Sequence, residues 1–114
     1  MDRIITRTEE ENREEAGLGL AASIGAMAYG VPLRAVLTDP RGDAKAANAR
    51  QMAMYLGHVR LNLSARRVGR AFGRTHAAVL KACRRIEESR ENPAFDQTVE
   101  WLETLLMRAT EVPA

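Results

Sequence analysis

One grouping of side chains in this sequence has the type and spacing to hold a ligand, and it is basic. Between residues 41 and 85 stand 11 lysines and arginines against a single acidic residue, a local net charge of +10. Guanidinium and ammonium groups at that density hold phosphate oxygens through charge-assisted hydrogen bonds, so the chemistry on offer is the binding of a polyanion. The flanking segments are acidic: residues 1 to 40 carry 4 basic and 7 acidic groups, and residues 86 to 114 carry 2 and 7. The formal charge of +2 on the whole chain therefore hides a segregation. The bland alternative for such a block is a solvated charged face.

The remaining residues point away from catalysis. There is no glycine-rich phosphate loop, no paired histidines and no nucleophile with a base at a recognisable spacing, so no enzyme activity, metal, cofactor or bound nucleotide is expected. The single cysteine, Cys83, excludes an internal disulfide, and its apolar surroundings predict a buried thiol. Met52 and Met54 read as packing, and His58 as a surface residue complementing a helix dipole. Residues 16 to 33 lack charge, but an acidic run precedes them and they are rich in Ala, Gly and Ser, which argues against a signal peptide or membrane span. A cytoplasmic, nucleoid-associated protein is the expectation. Aromatic residues make up 4% and do not interleave with the basic ones, which disfavours a platform that stacks single-stranded bases.

The elements that must position the basic block follow from periodicity. At 114 residues, with no run of alternating β-branched residues and no internal repeat, the sequence predicts one all-α domain, a bundle of about six helices. A first helix spans Glu9 to Tyr29 with Leu20, Ile24, Met27 and Ala28 inward, and residues 1 to 15 read as its frayed start, the alternative being an arm ordered by a partner. Gly30 stops it, and Pro32 opens a short helix through Leu33, Val36 and Leu37. Asp39 to Gly42 make a turn before a third helix, Ala44 to Val59, with Ala49, Met52, Ala53, Leu56 and Val59 on one face. Ser64 caps a short helix carrying Val68, Ala71 and Phe72, which Gly73 ends. Thr75 caps the next, with Val79, Leu80, Cys83 and Ile86 inward and His76, Ala77, Lys81, Arg84 and Arg85 outward. Asn92 and Pro93 begin a last helix, with Phe95, Val99, Leu102 and Leu106 inward, Trp101 partly buried and the acidic face turned away from the ligand.

A short helix, a glycine turn and a second basic helix form a helix-turn-helix, whose second helix enters the major groove while its first grips phosphates. That placement sets Thr75, His76, Ala77 and Ala78 toward base edges, the first two as hydrogen-bonding groups and the alanines as methyls. Lys45, Arg66, Arg67, Arg70, Arg74, Lys81 and Arg85 are the phosphate candidates.

Three runs, Ala49-Arg50-Gln51-Met52-Ala53-Met54-Tyr55-Leu56, Val68-Gly69-Arg70-Ala71-Phe72-Gly73 and Val79-Leu80-Lys81-Ala82-Cys83-Arg84-Arg85-Ile86-Glu87, resemble the C-terminal DNA-binding domain of the bacterial replication initiator DnaA. The likeness spans roughly residues 29 to 106 and does not take in the family's ATPase or N-terminal domains. It implies a Trp-repressor-like helix-turn-helix bundle over residues 29–109, with 1–28 as a helical extension and 110–114 as a tail. It also implies that Arg50 reaches into the minor groove and that Arg74 contacts phosphate. The family's Asp-His-Thr-Thr signature reads Thr75-His76-Ala77-Ala78 here, and a single Gly73 stands where the family has two glycines. At the positions of a Pro-Glu pair common in the family stand Arg66 and Arg67. The Asn92-Pro93-Ala94-Phe95-Asp96 helix start is similar to that of short initiator-related proteins of α-proteobacteria. The expected partner is double-stranded DNA, in replication initiation, its regulation or transcription control. The alternative is a protein-interaction regulator of the replication initiator that has given up sequence readout, and a degenerate or phage-derived repressor is a third reading.

Overall fold

Thr8 starts the first helix by a reciprocal exchange: its hydroxyl accepts from the Glu11 amide at 3.0 Å, and the Glu11 carboxylate accepts from the Thr8 amide at 3.0 Å. The computed structural model describes residues 8–38 and 44–111 and places this helix, α1, at Glu9–Tyr29. The start expected to fray is therefore capped from Glu9 onward, and residues 1 to 7 and the turn expected at Asp39 to Gly42 lie outside the described residues. Gly30 ends α1 at φ 67°, a left-handed conformation that glycine adopts without steric cost. Then come α2 (Leu33–Thr38), α3 (Ala44–Tyr55), a single π-helical turn (Leu56–Arg60), α4 (Ala65–Phe72), α5 (His76–Ser89) and α6 (Pro93–Ala109). Among the described residues the fold is all-α, six helices around one core, as the periodicity predicts.

The core differs from the predicted one in which face of α1 it uses. The buried side of α1 runs through Leu18, Ala21, Ala22, Ile24 and Gly25, while Met27 is 62% exposed and Ala28 also faces out. Small residues win because α1 lies close against α3: a Cβ on Gly25 would sit 2.6 Å from the Ala49 carbonyl oxygen. A stripe sought among large apolar side chains overlooks such a seam. Three other expected inward residues, Val59, Ala71 and Leu80, are exposed, and Ala82 is buried on α5 in place of Leu80.

The third helix stops being α-helical at Tyr55 because one extra residue enters the next turn. The Leu61 amide donates to Leu56 O at 3.1 Å, an i to i+5 bond that rotates Val59 out of the core face. Asn62 follows at φ 61°, a left-handed conformation in which Asn is enriched. His58, expected on the surface against a helix dipole, is instead half-buried and donates from Nδ1 to Leu63 O at 2.7 Å, tying the π-turn to the strap before α4.

Arg90 joins three elements. Its guanidinium donates to Asp96, to Glu103 at 3.1 Å and to the Tyr55 hydroxyl at 2.8 Å, linking the end of α5 to α6 and α3. Burial works against its charge, but the bonds to Asp96, Tyr55 and Glu103 outweigh it and hold the group above the ordinary arginine value.

Cys83 is buried, and burial, with Glu87 nearby, pushes its thiol up to about 11. Reaction of the native protein with a disulfide reagent at pH 8 is therefore expected to be slow, and to become complete only in denaturant. The unfolded thiol ionises at lower pH than the folded one, so the stability carried by the neutral group is intact below pH 9 and declines as pH rises toward 11. Denaturant titrations across that interval, compared with Cys83→Ser, check the sign. No helix among the described residues is long and apolar enough to cross a membrane.

Candidate nucleic-acid interface

The two helices that carry the basic block are set by their caps. The Ser64 hydroxyl accepts from the Arg67 amide at 3.0 Å and starts α4. Gly73 ends it at φ 66°, and the Gly69 carbonyl takes the amides of both Gly73 and Arg74, the latter at 2.9 Å. Thr75 starts α5, its hydroxyl accepting from the Ala78 amide at 3.1 Å. Two residues separate the end of one helix from the cap of the next. The approach is close enough that a Cβ on Gly69 would meet the Arg74 carbonyl oxygen at 2.4 Å.

Charge is graded along α5. Lys81, Arg84 and Arg85 are exposed on its middle turns, and Glu87 and Glu88 follow in the last. The helix thus presents its positive dipole end, with His76 and Ala77 exposed on the first turn, on the side away from the acidic end. A shallow cleft between α3 and α5 is lined by Arg50, Gln51, Arg74, Lys81 and Arg85, with Ala78 and Met54 among its walls. Five residues chosen from sequence, Arg50, Arg74, Ala78, Lys81 and Arg85, therefore converge, and Thr75, His76 and Ala77 continue from them toward the tip of α5.

Several candidates have other work in the fold. Arg50 is only 6% exposed, and its guanidinium donates through Nε to Val36 O at 2.9 Å and through Nη2 to Ala35 O at 3.0 Å. Those carbonyls belong to the last turn of α2, so Arg50 ties that helix end to α3. Arg74 is half-buried and folds back over the turn, donating to Phe72 O at 3.4 Å and Gly73 O at 3.3 Å. Arg67 turns toward α1 and pairs with Glu14 at 3.4 Å. Lys45, Arg66 and Arg70 are exposed, the first on the opening turn of α3 and the others on α4. The helical period did not single out Gln51, which lines the cleft, and it set Leu80 inward, whereas Leu80 is 42% exposed on α5.

The model of the family described as bacterial DnaA protein helix-turn-helix matches residues 25–86, more than half of the chain. The chain belongs to this family. The DnaA 2 replication initiator of Chlamydia trachomatis is 43% identical over 62 residues, which is 52% of this chain and 14% of that protein. The initiator DnaA of Thermodesulfovibrio yellowstonii is 44% identical over 46 residues, 40% of this chain and 10% of that protein. The chain thus corresponds to a small part of the curated relatives it matches. A crystal structure of a DNA replication initiation factor superposes with a TM-score of 0.79 at 29% identity, over 90% of this chain and 32% of that one. The DnaA-type match takes in the end of α1 and all of α3, α4 and the cleft-lining part of α5, so the convergent residues lie inside it. It ends at Ile86 and leaves α6 outside.

Proposed function

We propose that the chain binds duplex DNA through α4 and α5, in replication initiation, its regulation or transcription control. The observation that carries this is the convergence of Arg74, Lys81 and Arg85 beside the exposed first turn of a capped helix, within a DnaA helix-turn-helix. The acidic end of α5 repels phosphate and the basic turns attract it, so the charge gradient orients the helix tip-first into the groove. Base readout falls to His76, Thr75 and the methyl groups of Ala77 and Ala78, with Thr75 already engaged in its cap. Arg50 and the phosphate candidates Lys45, Arg66, Arg67, Arg70 and Arg74 complete the assignment. The helix start from Asn92 to Asp96 supports a finer placement beside short initiator-related proteins of α-proteobacterial type, acting in the cytoplasm on the nucleoid.

A mobility-shift titration with duplex DNA tests the reading. Lys81→Ala with Arg85→Ala is expected to weaken binding about tenfold near 0.1 M salt and to reduce the log–log salt slope by about two contacts' worth. Absence of any duplex binding by the wild type at low salt overturns it.

One observation favours the second reading, a regulator that contacts the replication initiator. Trp101 is 67% exposed, where partial burial was expected, and Leu105 one turn later shares its face of α6. Capture of purified initiator that survives Arg74→Glu but fails with Trp101→Ala would support it.

A further inference from the structure

The start of α1 places five glutamates within seven residues: Glu9, Glu10, Glu11, Glu14 and Glu15. The first three occupy the first turn, where they complement the helix dipole, and Glu11 closes the capping box. That effect is spent within one turn, so it does not account for Glu14, which reaches across to α4. Glu11, Glu14 and Glu15 form one wall of an open cleft, and Arg67 and Arg70 of α4 form part of the other, with Leu18 and Phe72 between them. The Glu14–Arg67 pair spans the cleft, and both side chains retain access to water.

α4 is the helix that crosses the DNA backbone in a helix-turn-helix complex. A phosphate drawn to Arg67 or Arg70 would come within about a Debye length, roughly 8 Å, of the α1 carboxylates, too near for salt to screen them fully. We propose that the acidic start of α1 is an intramolecular competitor for the arginines of α4, holding Arg67 in the free protein and lowering the affinity for duplex of any sequence. The inference rests on the duplex-binding reading above. A solvent-accessible pair of this kind contributes little to stability, which leaves Arg67 exchangeable between carboxylate and phosphate. The competitor is built into the same chain, so its strength is set by sequence and ionic strength and not by concentration.

Anisotropy titrations of the full chain with a random-sequence duplex, over a series of salt concentrations, test this. Glu14→Gln is expected to tighten binding about threefold, and Glu14→Gln with Glu15→Gln about tenfold. The salt slope should steepen by up to about 0.9 as one arginine is released to phosphate. The gain from Glu14→Gln should vanish in an Arg67→Gln background, and Glu100→Gln on α6, with the same change in net charge, should stay within about twofold of wild type. Circular dichroism confirms that each variant keeps its helices. Unchanged affinity and slope in both α1 variants overturn the competitor while leaving duplex binding intact, and an equal gain from Glu100→Gln does so as well. Failure of the wild type and of every variant to bind at low salt overturns the duplex reading and the competitor together.

Discussion

Gly69→Ala is expected to destabilise the fold by about 3 kcal/mol, lowering the melting temperature by roughly 15 °C. The added Cβ would sit 2.4 Å from the Arg74 carbonyl oxygen, with the Arg74 and Thr75 carbonyl carbons at 3.4 and 3.3 Å. All three obstacles are backbone, so no rotamer change relieves the contact. Separation of α4 from the turn would also break the Arg74 amide to Gly69 carbonyl bond at 2.9 Å, which sets the angle between the two helices. Thermal melts measure the first effect. Duplex titration well below the melting point measures the second, where a loss of affinity beyond the unfolded fraction is expected because α4 and α5 can no longer face one backbone together. A melting temperature within a few degrees of wild type would refute the account.

Arg50→Ala is the second large effect, a loss of about 3 kcal/mol with weaker duplex binding as its consequence. The substitution leaves the Ala35 and Val36 carbonyls without their charged donor and opens space beneath the α3–α5 cleft. Arg50→Lys should recover little, since one ammonium cannot reproduce two parallel donors from a planar fork. The informative measurement compares chemical denaturation with duplex affinity at a temperature where every variant is folded. Full stability with lost binding would show that Arg50 serves the ligand and not α2.

These two residues also show what was legible in the sequence. Helix boundaries were, because their signals are local: Ser64, Gly73, Thr75, Asn92 and Pro93 act within a turn of where they stand, and each takes the predicted place. The buried faces of α4, α5 and α6 were readable in outline, since Val68, Phe72, Val79, Cys83, Ile86, Val99, Leu102 and Leu106 are large, apolar and periodic. The α1 face was not, because Gly25 and Ala21 pack by being small, and nothing local distinguishes a glycine at a close crossing from one in a weak helix. The π-turn after Tyr55 escaped for a similar reason: a continuous pattern does not reveal one added residue. The cleft was half legible. Its basic residues stand out by charge, but Arg50 spends its guanidinium on carbonyls 14 and 15 residues away and Arg67 pairs with a carboxylate 53 residues away, distances over which no period operates.

The Arg90 junction bears on how finely α5 can be aimed. A helix of 14 residues is about 21 Å long, so a tilt of 5° about its far end moves its tip by roughly 2 Å, enough to carry a side chain out of hydrogen-bonding reach of a base edge. Arg90 stands at that far end, braced against Tyr55, Asp96 and Glu103. In the proposed duplex complex the helix would act as a pointer mounted at its tail, and His76 would inherit its aim from an ion cluster some 20 Å behind it. On that reading, residues that never approach the duplex become part of its alignment.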